Sequence, residues 1–276
     1  MFIAIASAIC ALISFLVQRE TYEPVLLERR AKRLRAATGR SNISHRHTTT
    51  EPRSAVFVKA IFRPLTMLFK SPIVLLTSFY VGLVYGYSYL LFTSFSTLFT
   101  QTYGFSTSTV GLTYFGFGVG CAIGLLAVGL VSDKMTSKAS AGGTWKPEAR
   151  LRPLIPGSLF VPIGLLWYGW SAQARVHWIM PIIGSGLVGL GTVAVVMPVQ
   201  TYLIDAFPLH AASVSAANTI FRSLLGAFLP LIGPRIYATL GQGSGNTLLA
   251  ATAFVFTPLT WLVVHHGEGI RRRWPV

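Results

Sequence analysis

The stretch IVLLTSFYVGLVYGYSYLLFTSFSTLFT (Ile73–Thr100), followed after a short break by TSTVGLTYFGFGVGCAIGLLAVGLV (Thr107–Val131), contains no Asp, Glu, Lys or Arg. A helix that crosses the hydrocarbon core of a bilayer needs about 20 mostly apolar residues, within a range of about 17–25. Both runs are long enough. The same pattern recurs outward from them at Leu154–Trp170, Trp178–Ile204, Ala211–Tyr237 and Asn246–Val264, with a shorter run at Phe2–Val17. The whole chain agrees: 52% of its 276 residues are hydrophobic and only 11% charged, with a mean hydropathy of +0.59. A soluble domain carries about 25% charged residues. This composition excludes a disordered chain, a collagen and a disulfide scaffold. The expected fold class is an all-α membrane protein whose six-helix transmembrane bundle covers 71–265. A partial transmembrane helix at 1–17 and a basic linker at 18–70 precede it, and a basic tail at 266–276 follows. Phe2–Val17 lacks the basic n-region of a signal peptide and an A-x-A site before the charged stretch, so it reads as a helix end.

The formal net charge is +15, from 23 Lys+Arg against 8 Asp+Glu. Its distribution matters more than its size. Twelve of the 23 basic residues fall in Arg19–Lys70, five in Lys134–Arg152 and three in Arg271–Arg273. The loops around Gly104 and Gly241 carry none, and the one near Ala174 carries only Arg175. Basic loops thus alternate with neutral ones. By the positive-inside rule, the 18–70 segment, Lys134–Arg152 and the C-terminus are expected to be cytosolic. The basicity follows the topology, so a lipid bilayer is the expected partner and no nucleic acid is.

Within 18–70, Pro24 suits a first helical turn, with Glu20 and Glu23 near the positive end of the helix dipole. Glu28 and Lys32 form an i,i+4 pair, and Gly39 suits a helix stop. Ser41–Arg53 is polar and reads as a linker. Val58, Ile61, Phe62, Leu65 and Phe69 then recur at helical spacing, interleaved with Lys59, Arg63 and Lys70. That pattern predicts an interfacial amphipathic helix, although Pro64 weakens it. It serves either to sense anionic lipid or simply to tether.

Polar residues inside the spans are the candidates for function. All eight carboxylates lie away from span centres, and the six histidines lie near span ends or in the linker. A proton relay needs an ionisable group at depth, and neither residue type supplies one here. Arg222 is the exception among charges. It lies about eleven residues, or roughly 16 Å, into its span. Ser215, Asn218, Thr219, Arg222 and Gly226 share one helix face, either a pathway-facing site for an anionic or hydrogen-bonding group or a structural contact to backbone carbonyls. Ser78, Gly82, Tyr85, Tyr89, Thr93 and Ser96 form a second stripe. Its tyrosines offer π-faces and hydroxyls to a ligand, or else pack and anchor. Gln200, Thr201 and Tyr202 follow Pro198, whose kink is either a gate or fixed. The expected pathway residues are Tyr85, Tyr89, Gln200, Tyr202, Asn218 and Arg222.

Gly82/Gly86 and Gly116/Gly120/Gly124 have GxxxG spacing, and Gly184, Gly186, Gly189 and Gly191 crowd one helix. Such residues let helices approach closely. Cys10 and Cys121 are too few for a metal site and badly placed for a disulfide. The chain has no P-loop, HExxH or GxSxG. No catalytic residue, metal or cofactor is expected, and the chain does not read as an enzyme.

Several strings resemble the major facilitator superfamily, and most closely its fungal drug:proton antiporter branch of multidrug and polyamine exporters. RETYEPVLLERRAKRLRAATG (Arg19–Gly39) is similar to the central cytosolic loop of those transporters. PVQTYLIDAFPLHAASVSAANTIFRSLLGAFLP (Pro198–Pro230) is similar to their tenth and eleventh helices. Arg63-Pro64-Leu65 with the following SPIVLL, YGFS (Tyr103–Ser106) and GGTWKPEARL (Gly142–Leu151) fit as well. The resemblance implies twelve helices in two bundles, of which this chain matches the end of the sixth and helices seven to twelve. A first bundle, with its proton-coupling motifs, has no counterpart here. Gly129-Leu130-Val131-Ser132-Asp133-Lys134 is similar to the facilitator loop motif G-x-x-x-D-[RK], which implies a gating or packing role for Gly129, Asp133 and Lys134; a plain helix end is the other reading.

These readings lead to one main expectation. The complete protein is an alternating-access exporter of drugs, polyamines or similar small molecules by proton antiport, in the plasma membrane. This chain is then a half, inactive alone, whose partner is the missing N-terminal bundle or a second copy. The alternative is a homodimerising or regulatory membrane subunit without transport of its own.

Overall fold

A computed structural model describes residues 2–18, 23–39, 53–141 and 147–274, and every regular element among them is helical. The chain divides into two units, Met1–Phe57 and Val58–Val276.

The first unit contains α1 (Phe2–Val17) and α2 (Glu23–Thr38). The side chains described on α1 are exposed along its whole length. α2 ends where Gly39 adopts a left-handed φ of 65° and its N–H donates to the Arg35 carbonyl at 3.0 Å. Glycine takes that conformation without a Cβ penalty. The Glu28 half of the i,i+4 pair lies outside the described residues.

The second unit holds the end of α3 (Arg53–Lys70), then α4 (Pro72–Tyr103), α5 (Thr107–Ala141), α6 (Leu154–Gln173), α7 (Ile179–Ala206) and α8 (Ala211–Arg273). Five of the described helices are long and apolar enough to cross a membrane. α4 and α5 extend beyond their apolar runs, because helical hydrogen bonding continues into the polar ends. α8 accounts for two crossings. Its Gly241 has φ 79° and ψ 174°, far from helical values. Before that point Gly82 and Gly86 lie against Phe221 and Leu225, and Gly233 lies against Leu90. Residues 211–240 therefore run parallel to α4. After it, Thr252 hydrogen-bonds Tyr87, Phe256 meets Phe79 and Tyr80, and Gly267 meets Ile73. The second arm runs back. Tyr237 Oη donates to Asn246 Oδ1 at 3.3 Å across the hairpin.

The six crossings thus alternate in direction and share two ends. At one end Tyr103 Oη donates to the Val176 carbonyl and Gly243 N–H donates to Gln173 Oε1. At the other, Arg150 pairs with Asp205, and Arg271 Nη2 lies 3.2 Å from Glu148 Oε1. There Arg63 of α3 also meets the His210 ring, at 2.8 Å from Nε2. The first end is the neutral one of the sequence; the second carries the basic segments.

Small residues set the helix spacing. α5 lies on α7 where Gly116, Gly120 and Gly124 face Ile182, Gly186 and Leu190. A Cβ at Gly120 would run into the carbonyl of Gly186. On α3, Ile61, Phe62, Leu65 and Phe69 are exposed while Pro64, Met67 and Leu68 are buried.

Candidate functional site

Between the middle of the bundle and its basic end, α4, α7 and the first arm of α8 carry five of the six expected pathway residues. Tyr85 sits thirteen residues into α4, about 20 Å from its start at 1.5 Å per residue,. Tyr89 is one turn further, with its ring centroid 5.0 Å from that of Tyr85. The two rings approach the first arm because it presents a glycine to them. A Cβ at Gly226 would stand 3.3 Å from Tyr85 and 3.6 Å from Tyr89. One turn before Gly226, the Arg222 guanidinium lies over the Tyr85 ring, 4.7 Å from its centroid. Such a contact offsets part of the cost of a cation at depth. Arg222 is half-buried, and its Nε is buried without a hydrogen-bond partner.

A second set of polar contacts ties α7 to the same arm. Asn218 Nδ2 donates to Gln200 Oε1 at 2.8 Å, and Gln200 Nε2 donates to Ser215 Oγ at 2.9 Å. Asn218 is only 1% exposed and its Oδ1 is unpartnered. Ser215, Asn218 and Arg222 lie on one face because they are three and four residues apart.

Beside these residues lies a cavity of about 320 Å³. Its walls are Tyr85, Ser88, Tyr89 and Phe92 of α4, Phe117 and Cys121 of α5, and Thr192, Val193, Val196 and Met197 of α7. Sequence reasoning did not single out Phe92, Phe117 or Thr192. Ser88 Oγ and Thr192 Oγ1 hydrogen-bond each other at 3.0 Å, so the α4–α7 contact carries a buried polar link that spacing within one helix does not reveal. A second cavity, of about 350 Å³, lies toward the neutral end between α4 and α8. Thr93, Thr97, Gln101, Tyr237 and Gln242 are among its lining residues.

The α4 stripe therefore changes character along its length. Ser78 and Gly82 are buried in helix packing, Tyr85 is half-buried, and Tyr89, Thr93 and Ser96 are exposed. Thr219 and Ser223 are exposed beside Arg222. Within other spans, exposed side chains are largely apolar, as at Phe115, Leu126 and Leu130 of α5 and Phe254 and Val255 of α8. Hydroxyl and guanidinium groups gather on one face, and hydrocarbon covers others.

Tyr202 lies apart from the other five. It is fully buried at the basic end, with its hydroxyl beside Gly267. Successive residues turn about 100° around a helix, so Tyr202 points away from the face that Gln200 presents. Of the loop motif, Gly129 has open space where a Cβ would be. Asp133 and Lys134 belong to α5, but their side chains lie outside the described residues. Among the described residues no group of His, Cys, Asp and Glu is placed to hold a metal ion.

The Major Facilitator Superfamily profile matches residues 1–230. The chain is 47% identical to the MFS-type transporter tndD of Aspergillus flavipes over 275 residues, which cover 98% of this chain and 51% of that protein. It is 48% identical to the MFS-type transporter penM of Penicillium rubens over 270 residues, 98% of this chain and 53% of the relative. The MFS transporter cpaT of Aspergillus oryzae is 47% identical over 271 residues, 98% of this chain and 55% of its own length. The chain thus spans about half the length of the curated relatives it matches. No solved structure matches it. Helices, spans and relatives agree: the chain is an integral multi-pass membrane protein and belongs to the major facilitator superfamily.

Proposed function

We propose that this chain supplies one bundle of an alternating-access transporter for small organic molecules, and that the face bearing Tyr85, Tyr89, Gln200, Asn218 and Arg222 is its wall of the pathway. The observation that carries this reading is the one-sided gathering of polar groups at mid-depth. A guanidinium and several hydroxyls are costly against lipid and favourable against a water-filled path. Binding near the midplane between two bundles, followed by rocking of one bundle against the other, is how such transporters work. Export of drug-like molecules is the direction the family resemblance suggests. Proton antiport would take its titrating group from the other bundle, since no Asp, Glu or His of this chain lies mid-span. Tyr202 would then support the bundle from its basic end and leave the cargo to the other five. The positive-inside rule puts the basic end, the 18–70 segment and the C-terminus in the cytosol. The plasma membrane is the proposed location.

The test is transport in liposomes under a pH gradient, with an anionic dye, carboxyfluorescein, and a cationic one, rhodamine 6G, each tried as cargo. The chain alone is expected to give no gradient-driven flux. The chain joined to the N-terminal half of tndD is expected to give flux that Tyr85→Ala and Asn218→Ala each reduce about tenfold or more. Flux by the isolated chain would contradict the two-bundle reading. Undiminished flux in both variants would contradict the assignment of the face.

A further inference from the structure

The mid-depth site has an electrostatic sign. Its one cation among the described residues is Arg222, whose guanidinium rests on the face of Tyr85 and whose buried Nε donates to nothing. The carboxylates with described side chains are Glu148, Asp205 and Glu268, and all three lie toward the basic end. Glu148 and Asp205 are paired there with Arg271 and Arg150. Neither of these two is paired with Arg222. The neighbours of Arg222 are Tyr85 and, one turn away, an Asn218–Gln200–Ser215 chain of neutral groups. A cation held at depth with no carboxylate beside it among the described residues favours whatever anion can reach it.

The cavity wall beside it says what the rest of that anion is like. Tyr85, Tyr89, Phe92 and Phe117 present aromatic surface around about 320 Å³, enough for a small ring system. The Phe92 and Phe117 centroids are 4.8 Å apart, so these rings form one continuous apolar surface. A flat aromatic body would pack there, and an acidic oxygen would accept hydrogen bonds from the guanidinium.

We propose, on the pathway reading of this face, that the site selects organic anions: planar or aromatic molecules whose carboxylate or enolate oxygen pairs with Arg222. A polyamine would bring ammonium groups toward a guanidinium and find no carboxylate among the described residues to receive them.

The test uses the purified chain in phosphatidylcholine nanodiscs and three probes of one shape: 1-naphthoate, methyl 1-naphthoate and 1-naphthylmethylamine. Binding is read by scintillation proximity with tritiated probes. The expected result is that naphthoate binds about tenfold or more tighter than the ester, with the amine weakest. Arg222→Gln should bring naphthoate down to the level of the ester, and Arg222→Lys should keep part of the preference. Equal binding of the three probes, a preference for the amine, no naphthoate binding, or a preference that survives in Arg222→Gln overturns the proposal. Loss of naphthoate binding when phosphatidylglycerol is added would give Arg222 to a lipid headgroup and overturn it too. Two cavity-filling variants, Thr192→Trp and Val196→Phe, separate this outcome from failure of the pathway reading. If either folded variant leaves all three probes unaffected, the cavity is not the site and both readings fall. If it weakens all three while the wild type shows no charge preference, the site stands and the anion assignment falls.

Discussion

A missing Cβ decides two contacts in this bundle. At Gly120 it lets α5 lie directly on the Gly186 carbonyl of α7, and at Gly226 it lets Tyr85 and Tyr89 lean onto α8. Gly120→Ala should therefore push α5 from α7 and lower stability by about 1–3 kcal/mol. Gly118→Ala, two residues away with nothing within 4 Å, should leave stability unchanged or slightly raised,. Unfolding in SDS titrations distinguishes the two. Gln200→Leu should cost about 1–3 kcal/mol, because it leaves the buried Asn218 amide without its acceptor,. Gln200→Leu combined with Asn218→Leu should recover part of that loss, since both partners are then apolar. The helical spacing of the α8 stripe made Ser215, Asn218 and Arg222 legible as one face. The GxxxG spacing likewise marked Gly120 as a packing residue. The partners were not legible, because which helix fills a glycine gap is set by tertiary packing. Tyr202 shows the limit of adjacency along the chain. Two positions from Gln200 on a helix is most of the way to the opposite face.

At the scale of the element, the apolar runs marked every crossing, but their lengths understated the helices. α5 continues through Ala141, well past the last apolar residue of its run at Val131. A break between Tyr237 and Asn246 was legible from the glycines and the drop in hydropathy. Its tightness was not, because it depends on one residue, Gly241, in a conformation that glycine alone adopts readily,. Gly241→Ala should cost about 1–3 kcal/mol through backbone strain, measured by the same SDS unfolding. Pro198 sits inside α7 without ending it. Thr201 Oγ1 donates to the Met197 carbonyl at 3.0 Å and lies 3.1 Å from that of Pro198, whereas the carbonyl that the proline deprives of its i+4 donor is that of Ala194, one turn earlier. At the basic end, the Glu148–Arg271 and Arg150–Asp205 pairs pin the short turn at Pro147–Leu151 to the ends of α7 and α8. That end was legible as basic. Its internal pairing was not, since Glu148 and Arg271 are far apart in sequence.

For the whole molecule, the unequal surface is the central fact. Lipid can cover the hydrocarbon exposed on α5 and on the second arm of α8, but it is a poor neighbour for Tyr89, Thr93, Thr219 and Arg222,. On the proposed pathway reading, a second bundle and a water-filled path cover that polar face. The most direct measurement is water access. Single cysteines are placed in the two-bundle protein made with the N-terminal half of tndD, after Cys10→Ser and Cys121→Ser. Thr93→Cys and Thr219→Cys probe the polar face; Leu126→Cys and Val255→Cys probe the apolar ones. A sulfonated thiol reagent, which reacts only where water reaches, is expected to modify the first pair about tenfold or more faster than the second. Equal rates at all four positions, or faster reaction at Leu126→Cys and Val255→Cys, would contradict the claim that the polar face of this bundle lines the transport pathway.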